Sequence, residues 1–131
     1  DGQHVVYNAT YGTYIDLAAT EFLRAVFAPQ PAFDGSFELQ VVKLLVEWQA
    51  PARFDEVLEI AVRATKLGTT AQTLGFEFRK AGTAPLIATG ETVNVHVDKI
   101  SWAKQPIPDA IRARLQAGAA GQRIDHAGYL K

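Results

Sequence analysis

Residues 14–27 read YIDLAATEFLRAVF, and the period of that stretch decides the fold. From Tyr11 onward, apolar side chains recur at Tyr14, Ile15, Ala18, Phe22, Ala25 and Val26, the spacing of one buried stripe on an α-helix. Asp16, Thr20 and Arg24 recur on a second face, which solvent or a partner subunit can cover. Asn8 is the predicted N-cap, because its side-chain oxygen can accept from a first-turn N–H. Pro29 and Pro31 end the element, since proline has no N–H to donate and restricts the residue before it. A helix apolar over so much of its surface needs cover on several sides.

The residues that follow supply that cover. Residues 37–48 (FELQVVKLLVEW) are dense in Val, Leu and aromatics and predict a long strand. A turn at 54–56 leads into 57–66, where Leu58, Ile60, Val62 and Ala64 alternate with Glu59, Ala61, Arg63 and Thr65, the period of a half-buried strand. Gly68 breaks it. Residues 69–80 alternate again, with Leu74, Phe76 and Phe78 inward and Glu77 and Arg79 outward, and after a turn at 81–85 residues 86–98 form the last strand. Tight turns join only antiparallel neighbours, so this run predicts an antiparallel meander. A short helix is expected over 108–117, with Pro108 near its first turn, and 117–131 reads as loop. With no repeat and no linker, the 131 residues predict a single α+β domain, an antiparallel sheet wrapped around a long central helix.

Composition narrows the function. A net charge of −1 and a pI near 6.3 provide no basic field for nucleic acid or an anionic membrane. No apolar run reaches the ~20 residues of a bilayer span, and no signal-peptide pattern is visible. The absence of Cys removes disulfides, thiolate metal sites and a Cys nucleophile. A cytoplasmic protein is expected, with neither nucleic acid nor membrane as partner. The sequence contains no Met and opens on Asp1, which leads us to expect a further strand upstream.

The first residues hold the chemistry. D-x-x-x-x-V-Y-N-A-x-Y (1–11), followed by Y-x-D-L-A-x-T-E-F-L-R (14–24) and, downstream, FDEVLEIAVRATKLGTT (54–70), resembles the hotdog-fold acyl-CoA thioesterases. The nearest subgroup is the 4-hydroxybenzoyl-CoA thioesterase-like (YbgC-like) family. The resemblance runs from Asp1 to about Asp98. It implies a hotdog fold and hydrolysis of an acyl- or aroyl-CoA thioester, or of an acyl-ACP, without metal or other cofactor. It also implies a homo-oligomer, either a dimer or a tetramer built as a dimer of dimers.

By the same resemblance, Asp1 matches the catalytic carboxylate, acting as nucleophile or general base, and the backbone N–H of Asn8 matches the donor to the thioester oxygen. The chemistry is physically sound: a helix N-terminus offers unpaired N–H groups and partial positive charge where an oxyanion develops. His4 can orient the carboxylate or tune its pKa, and Tyr7 completes the catalytic candidates. Tyr11 and Tyr14 are candidate walls of an acyl pocket, although aromatics on a helix face also serve as core. Lys66, Gly68, Thr69 and Thr70 match a hairpin that approaches the CoA phosphates. Two positions depart from the family pattern: Thr69 stands where many relatives have Arg, and His4 where they often have Gly. Glu47 is a competing acid. His96, alternating with Val95 and Val97 and sharing a face with Asn94 and Asp98, is expected on a polar sheet face or in a dimer contact rather than in a metal site. The alternative function is a hotdog domain that binds acyl groups or dimerises without turnover.

Overall fold

The computed structural model describes residues 8–31 and 38–128. Its elements follow the predicted order: helix α1 (Thr10–Phe27), strands β1 (Glu38–Trp48), β2 (Leu58–Leu67), β3 (Ala71–Lys80) and β4 (Leu86–Val97), and helix α2 (Asp109–Ala117). Residues 118–128 form neither helix nor strand, as expected. None of the described helices is long and apolar enough to cross a membrane.

The start of α1 differs from the expectation. Ala9, not Asn8, is the N-cap, and no side chain caps the helix. Ala9 already has helical dihedrals (φ −64°, ψ −23°), so the chain turns one residue early. The carbonyls of Asn8 and Ala9 then accept from Tyr11 and Gly12, each at 3.2 Å. Asn8 contributes its backbone to the helix entry.

The four strands form one antiparallel sheet in the order β1-β4-β3-β2. β2, β3 and β4 are the predicted meander. β1 instead crosses over to pair with β4, opposing Leu39 to His96 and Trp48 to Ala88. Both outer strands are therefore β1 and β2 among the described residues. Of three register shifts, two alter the facing of side chains in the outer strands, since an extra residue in one strand reverses the alternation beyond it. One leaves Val42 unopposed in β1 and the other leaves Thr65 unopposed in β2. Strict alternation from Leu58 would bury Lys66. The bulge at Thr65 turns Lys66 outward instead and seats Leu67 against the core.

The core lies between α1 and one face of the sheet. Tyr11, Ile15, Phe22, Leu23, Val26 and Phe27 pack with Leu74, Phe76, Phe78 and Ala88. Full burial of one such large side chain contributes about 1.5–3 kcal/mol. The close contact centres on Gly90, where a Cβ would stand 2.7 Å from Ile15 Cδ1 and 3.3 Å from Phe76 Cβ. A missing side chain in mid-strand thus sets how near the helix can lie.

His96 departs from the expected polar face. It is fully buried, and its Nε2 lies 2.8 Å from Oε1 of the equally buried Gln72. Asp98, just beyond the strand, does not share that environment: its Oδ1 accepts from the N–H groups of Ile100 (2.9 Å) and Ser101 (2.8 Å) to shape a turn. Burial, reinforced by the Arg112 charge, holds the His96 pKa below the ordinary histidine value.

Two outcomes follow from this core. Gly90→Ala is expected to cost about 1–3 kcal/mol in urea unfolding, because Ile15 and Phe76 must move to admit the methyl group. For His96, a depressed folded-state pKa means that below about pH 6.5 the unfolded chain takes up a proton that the folded chain does not. Stability therefore falls as pH drops through that value, until the folded pKa is reached. His96→Gln should lessen the stability lost between pH 7 and 5.5, measured as the difference in unfolding free energy between wild type and variant at the two pH values.

Candidate active site

Those sequence-predicted residues that are described divide between α1 and the β2–β3 hairpin. Asp1, His4 and Tyr7 lie outside the described residues. Asn8 is exposed at the helix entry, and the first turn carries neither a side-chain cap nor an acidic residue. The partial positive charge of the helix start is thus left unneutralised by its own first turn. The Tyr11 and Gly12 amides are engaged in the i→i−3 bonds already described, which makes the amides ahead of them the leading donors of the helix.

An aromatic cluster stands directly behind this entry. The Tyr11 ring lies 5.2 Å from Phe78, 5.7 Å from Trp48 and 6.2 Å from Tyr14, centroid to centroid. Tyr11 is buried in the core. Its hydroxyl pKa is pushed up by burial, with the Ala52 backbone amide acting in the opposite direction. Tyr14 is half-buried and lines a groove of about 1010 Å³ between α1, β2 and residues 115–127, together with Leu17, Ala18 and Phe22. The two tyrosines are thereby separated: one anchors the helix, the other faces open space. Glu47 sits opposite Thr89, while its neighbour Trp48 turns toward Tyr11. Alternation along the strand therefore points Glu47 to the far face of the sheet, away from the helix entry.

Lys66, Gly68, Thr69 and Thr70 occupy the β2–β3 hairpin at the other end. From Phe78, beside Tyr11, back to Ala71 is about 24 Å of strand at ~3.4 Å per residue. The 18-residue helix spans a similar distance, about 27 Å. Within one chain the hairpin is not brought to Asn8.

Two arginines on α2, to which the sequence assigned no role, organise this second end. Arg114 Nη1 donates to the carbonyls of Phe27 (3.0 Å), Val26 (3.3 Å) and Ala28 (3.4 Å), and its Nη2 to Gln30 Oε1 (3.2 Å). It caps the C-terminus of α1, where carbonyls lack intrahelical partners and negative partial charge collects. Arg112 Nη2 donates to Gly68 O at 2.6 Å and to Thr69 O at 3.5 Å, and its Nη1 to Leu67 O at 3.5 Å. The hairpin is further tied by Ile107 N–H to Thr69 O (2.9 Å) and His96 N–H to Thr70 O (2.8 Å). The only local sign of these roles is a pair of arginines two residues apart on a short helix, which says nothing of their distant acceptors.

Comparison with known proteins accords with this architecture. A model of the thioesterase-like superfamily matches residues 1–115. The acyl-CoA thioester hydrolase YbgC of Escherichia coli O157:H7 is 31% identical over 117 residues, covering 88% of this chain and 87% of that protein. Among solved structures, a protein of Pseudomonas aeruginosa strain PAO1 is similar with 26% identity and a TM-score of 0.77, over 93% of this chain and 85% of its own. The 1,4-dihydroxy-2-naphthoyl-CoA thioesterase of Synechocystis shares the fold, with a TM-score of 0.78 at 21% identity, over 88% of this chain and 86% of its own. Sheet order, the helix packed on one sheet face, and sequence together identify the chain as a hotdog-fold member of the thioesterase-like superfamily.

Proposed function

We propose that the protein hydrolyses an acyl- or aroyl-CoA thioester, or an acyl-ACP, to the free acid and thiol. The match of residues 1–115 to the thioesterase-like superfamily carries this reading, and the uncapped entry of α1 supports it. The thioester carbonyl oxygen accepts from the leading amides of the helix, Asn8 foremost. The Asp1 carboxylate either attacks the carbonyl carbon or takes a proton from water that does so. By the first route a mixed anhydride forms as the C–S bond breaks, and water then cleaves the anhydride, restoring the carboxylate and releasing the acid while its proton goes to the thiolate. By the second the water oxygen bonds to the carbonyl carbon, the C–S bond breaks, and the thiol leaves with the proton that Asp1 took. His4 and Tyr7 follow the carboxylate in sequence. The groove that Tyr14 lines offers room for the acyl part, and the 66–70 hairpin meets the CoA phosphates.

That division of labour calls for a second copy of the chain, since hairpin and helix entry are about one helix length apart. β1 is the surface we assign to the pairing. It is an outer strand, and Val41, Val42, Leu44, Leu45 and Trp48 are all exposed along it, Val41 to 63%. Among the described residues no strand covers this edge, and apolar side chains on both its faces favour pairing with another strand. A two-fold pairing of antiparallel β1 strands reverses one copy against the other, carrying the hairpin end of one toward the helix entry of its partner. The assembly is then a dimer, or a tetramer made of two dimers.

Thiol release from a panel of acyl- and aroyl-CoAs tests the activity directly; binding without release would favour the non-catalytic acyl-binding alternative. Asp1→Asn should lower kcat by at least about 10²-fold while CoA binding, followed by calorimetry, is retained. Full activity in that variant would remove Asp1 from the mechanism. For the assembly, Leu44→Lys should shift the light-scattering mass to that of a monomer, with the thermal transition still cooperative; an unchanged oligomer would exclude β1 as the pairing edge.

A further inference from the structure

We infer that Arg112 is a positioning residue for recognition of the CoA phosphates. The inference rests on the hairpin assignment proposed above and adds to it a residue far away in sequence. Arg112 is half-buried on α2, and its guanidinium gathers the carbonyls of three consecutive residues, Leu67, Gly68 and Thr69.

The consequence follows from peptide geometry. In a trans peptide the C=O of one residue and the N–H of the next point in opposite directions across a rigid plane. Three carbonyls drawn to one guanidinium therefore turn the N–H groups of Gly68, Thr69 and Thr70 to the opposite side. Gly68 returns its own to the Ala71 carbonyl at 2.8 Å. The amides of Thr69 and Thr70 are left facing away from α2, at the tip of the hairpin, where Thr69 is exposed and Thr70 half-buried. Adjacent amides presented in this way form a concavity suited to anionic oxygens. The exposed Lys66, turned outward by the bulge at Thr65, adds a cation on the neighbouring stretch of strand.

Arg112 thus acts on the ligand through the backbone. Its contacts are with carbonyls, and the groups it turns outward are the ones that meet phosphate. The planar fork is what this task needs, since several N–H donors held in one plane can serve several acceptors at once. A lysine carries the same charge on a single point and cannot hold three carbonyls in that arrangement.

The test compares one acyl group on two carriers, CoA and pantetheine, the second lacking the nucleotide and its phosphates. The readout is the ratio of kcat/KM for the two thioesters. Arg112→Gln should lower that ratio about tenfold, mainly through KM for the CoA substrate. Arg112→Lys should lower it similarly, because charge alone does not order the hairpin; if Arg112→Gln fails to fold, the lysine variant carries the comparison. Lys66→Ala should also lower the ratio. If Lys66→Ala lowers it and both Arg112 variants leave it at the wild-type value, Arg112 has no positioning role. Recovery of the wild-type ratio by Arg112→Lys after a loss in Arg112→Gln would make it a direct charge contact and overturn the inference. A wild-type enzyme that turns over both thioesters with equal kcat/KM would instead remove the hairpin assignment itself.

Discussion

The rest of the molecule depends on how closely α1 lies on the sheet, and that distance is set at Gly90. No side chain larger than hydrogen fits between Ile15 and Phe76 at this point, so the helix settles with Ile15 against the strand backbone. Its direction is then fixed by what fits on either side. Tyr11 enters the space between Trp48 and Phe78 at one end, and Val26 and Phe27 reach the α2 side at the other. A helix start therefore stands at one end of the sheet and a tied hairpin at the other. The two halves of the proposed chemistry are separated by packing, before any functional group is considered.

That separation connects the core to the exposed edge. A chain that binds its substrate at both ends of one helix must bend a long ligand across itself or meet a second copy. The apolar residues of β1 favour the second arrangement, and their distribution is informative. The bulge at Val42 places Val41 and Leu44 on the helix side of the sheet and Leu45 on the other. On that outer face Lys43 pairs with Glu91 at 2.8 Å. Such a half-exposed ion pair contributes little to stability, but it gives one face of the strand a polar finish while apolar groups line the edge.

Much of the fold was legible in the sequence because it depends on local periodicity. The 3.6-residue stripe from Tyr11 to Val26 and the two-residue alternation at Leu58–Ala64 and Leu74–Phe78 placed helix and strands within one to three residues. What periodicity could not supply was order and facing. Nothing in residues 37–48 indicates that this strand lies beside the last one, and a single unopposed residue at Thr65 is enough to send Lys66 to solvent. His96 looked polar by its neighbours and is buried by its partner, Gln72, 24 positions away. Asn8 was the right residue type for a cap, but the backbone begins its turn at Ala9 and makes the side chain unnecessary. The candidate site was legible only where a motif lies along the chain, as in 66–70. The arginines that shape its surroundings act across 44 residues in one case and 87 in the other.

Those two arginines explain why a nine-residue helix is present at all. A helix as short as α2 is marginal by itself, since nucleation costs more than so few hydrogen bonds return. Leu115 is buried and Ile111 packs against the core, which supplies part of the compensation. The remainder comes from the carbonyls that the two arginines reach: those at the end of α1, taken by Arg114, and those of the hairpin, taken by Arg112. Charge-assisted bonds to such groups are stronger than neutral ones. Because the two residues are two positions apart on one rigid turn, the C-terminus of α1 and the hairpin are held by the same element. The helix whose start is proposed to receive the thioester oxygen is therefore anchored, at its far end, to the backbone proposed to receive the phosphates.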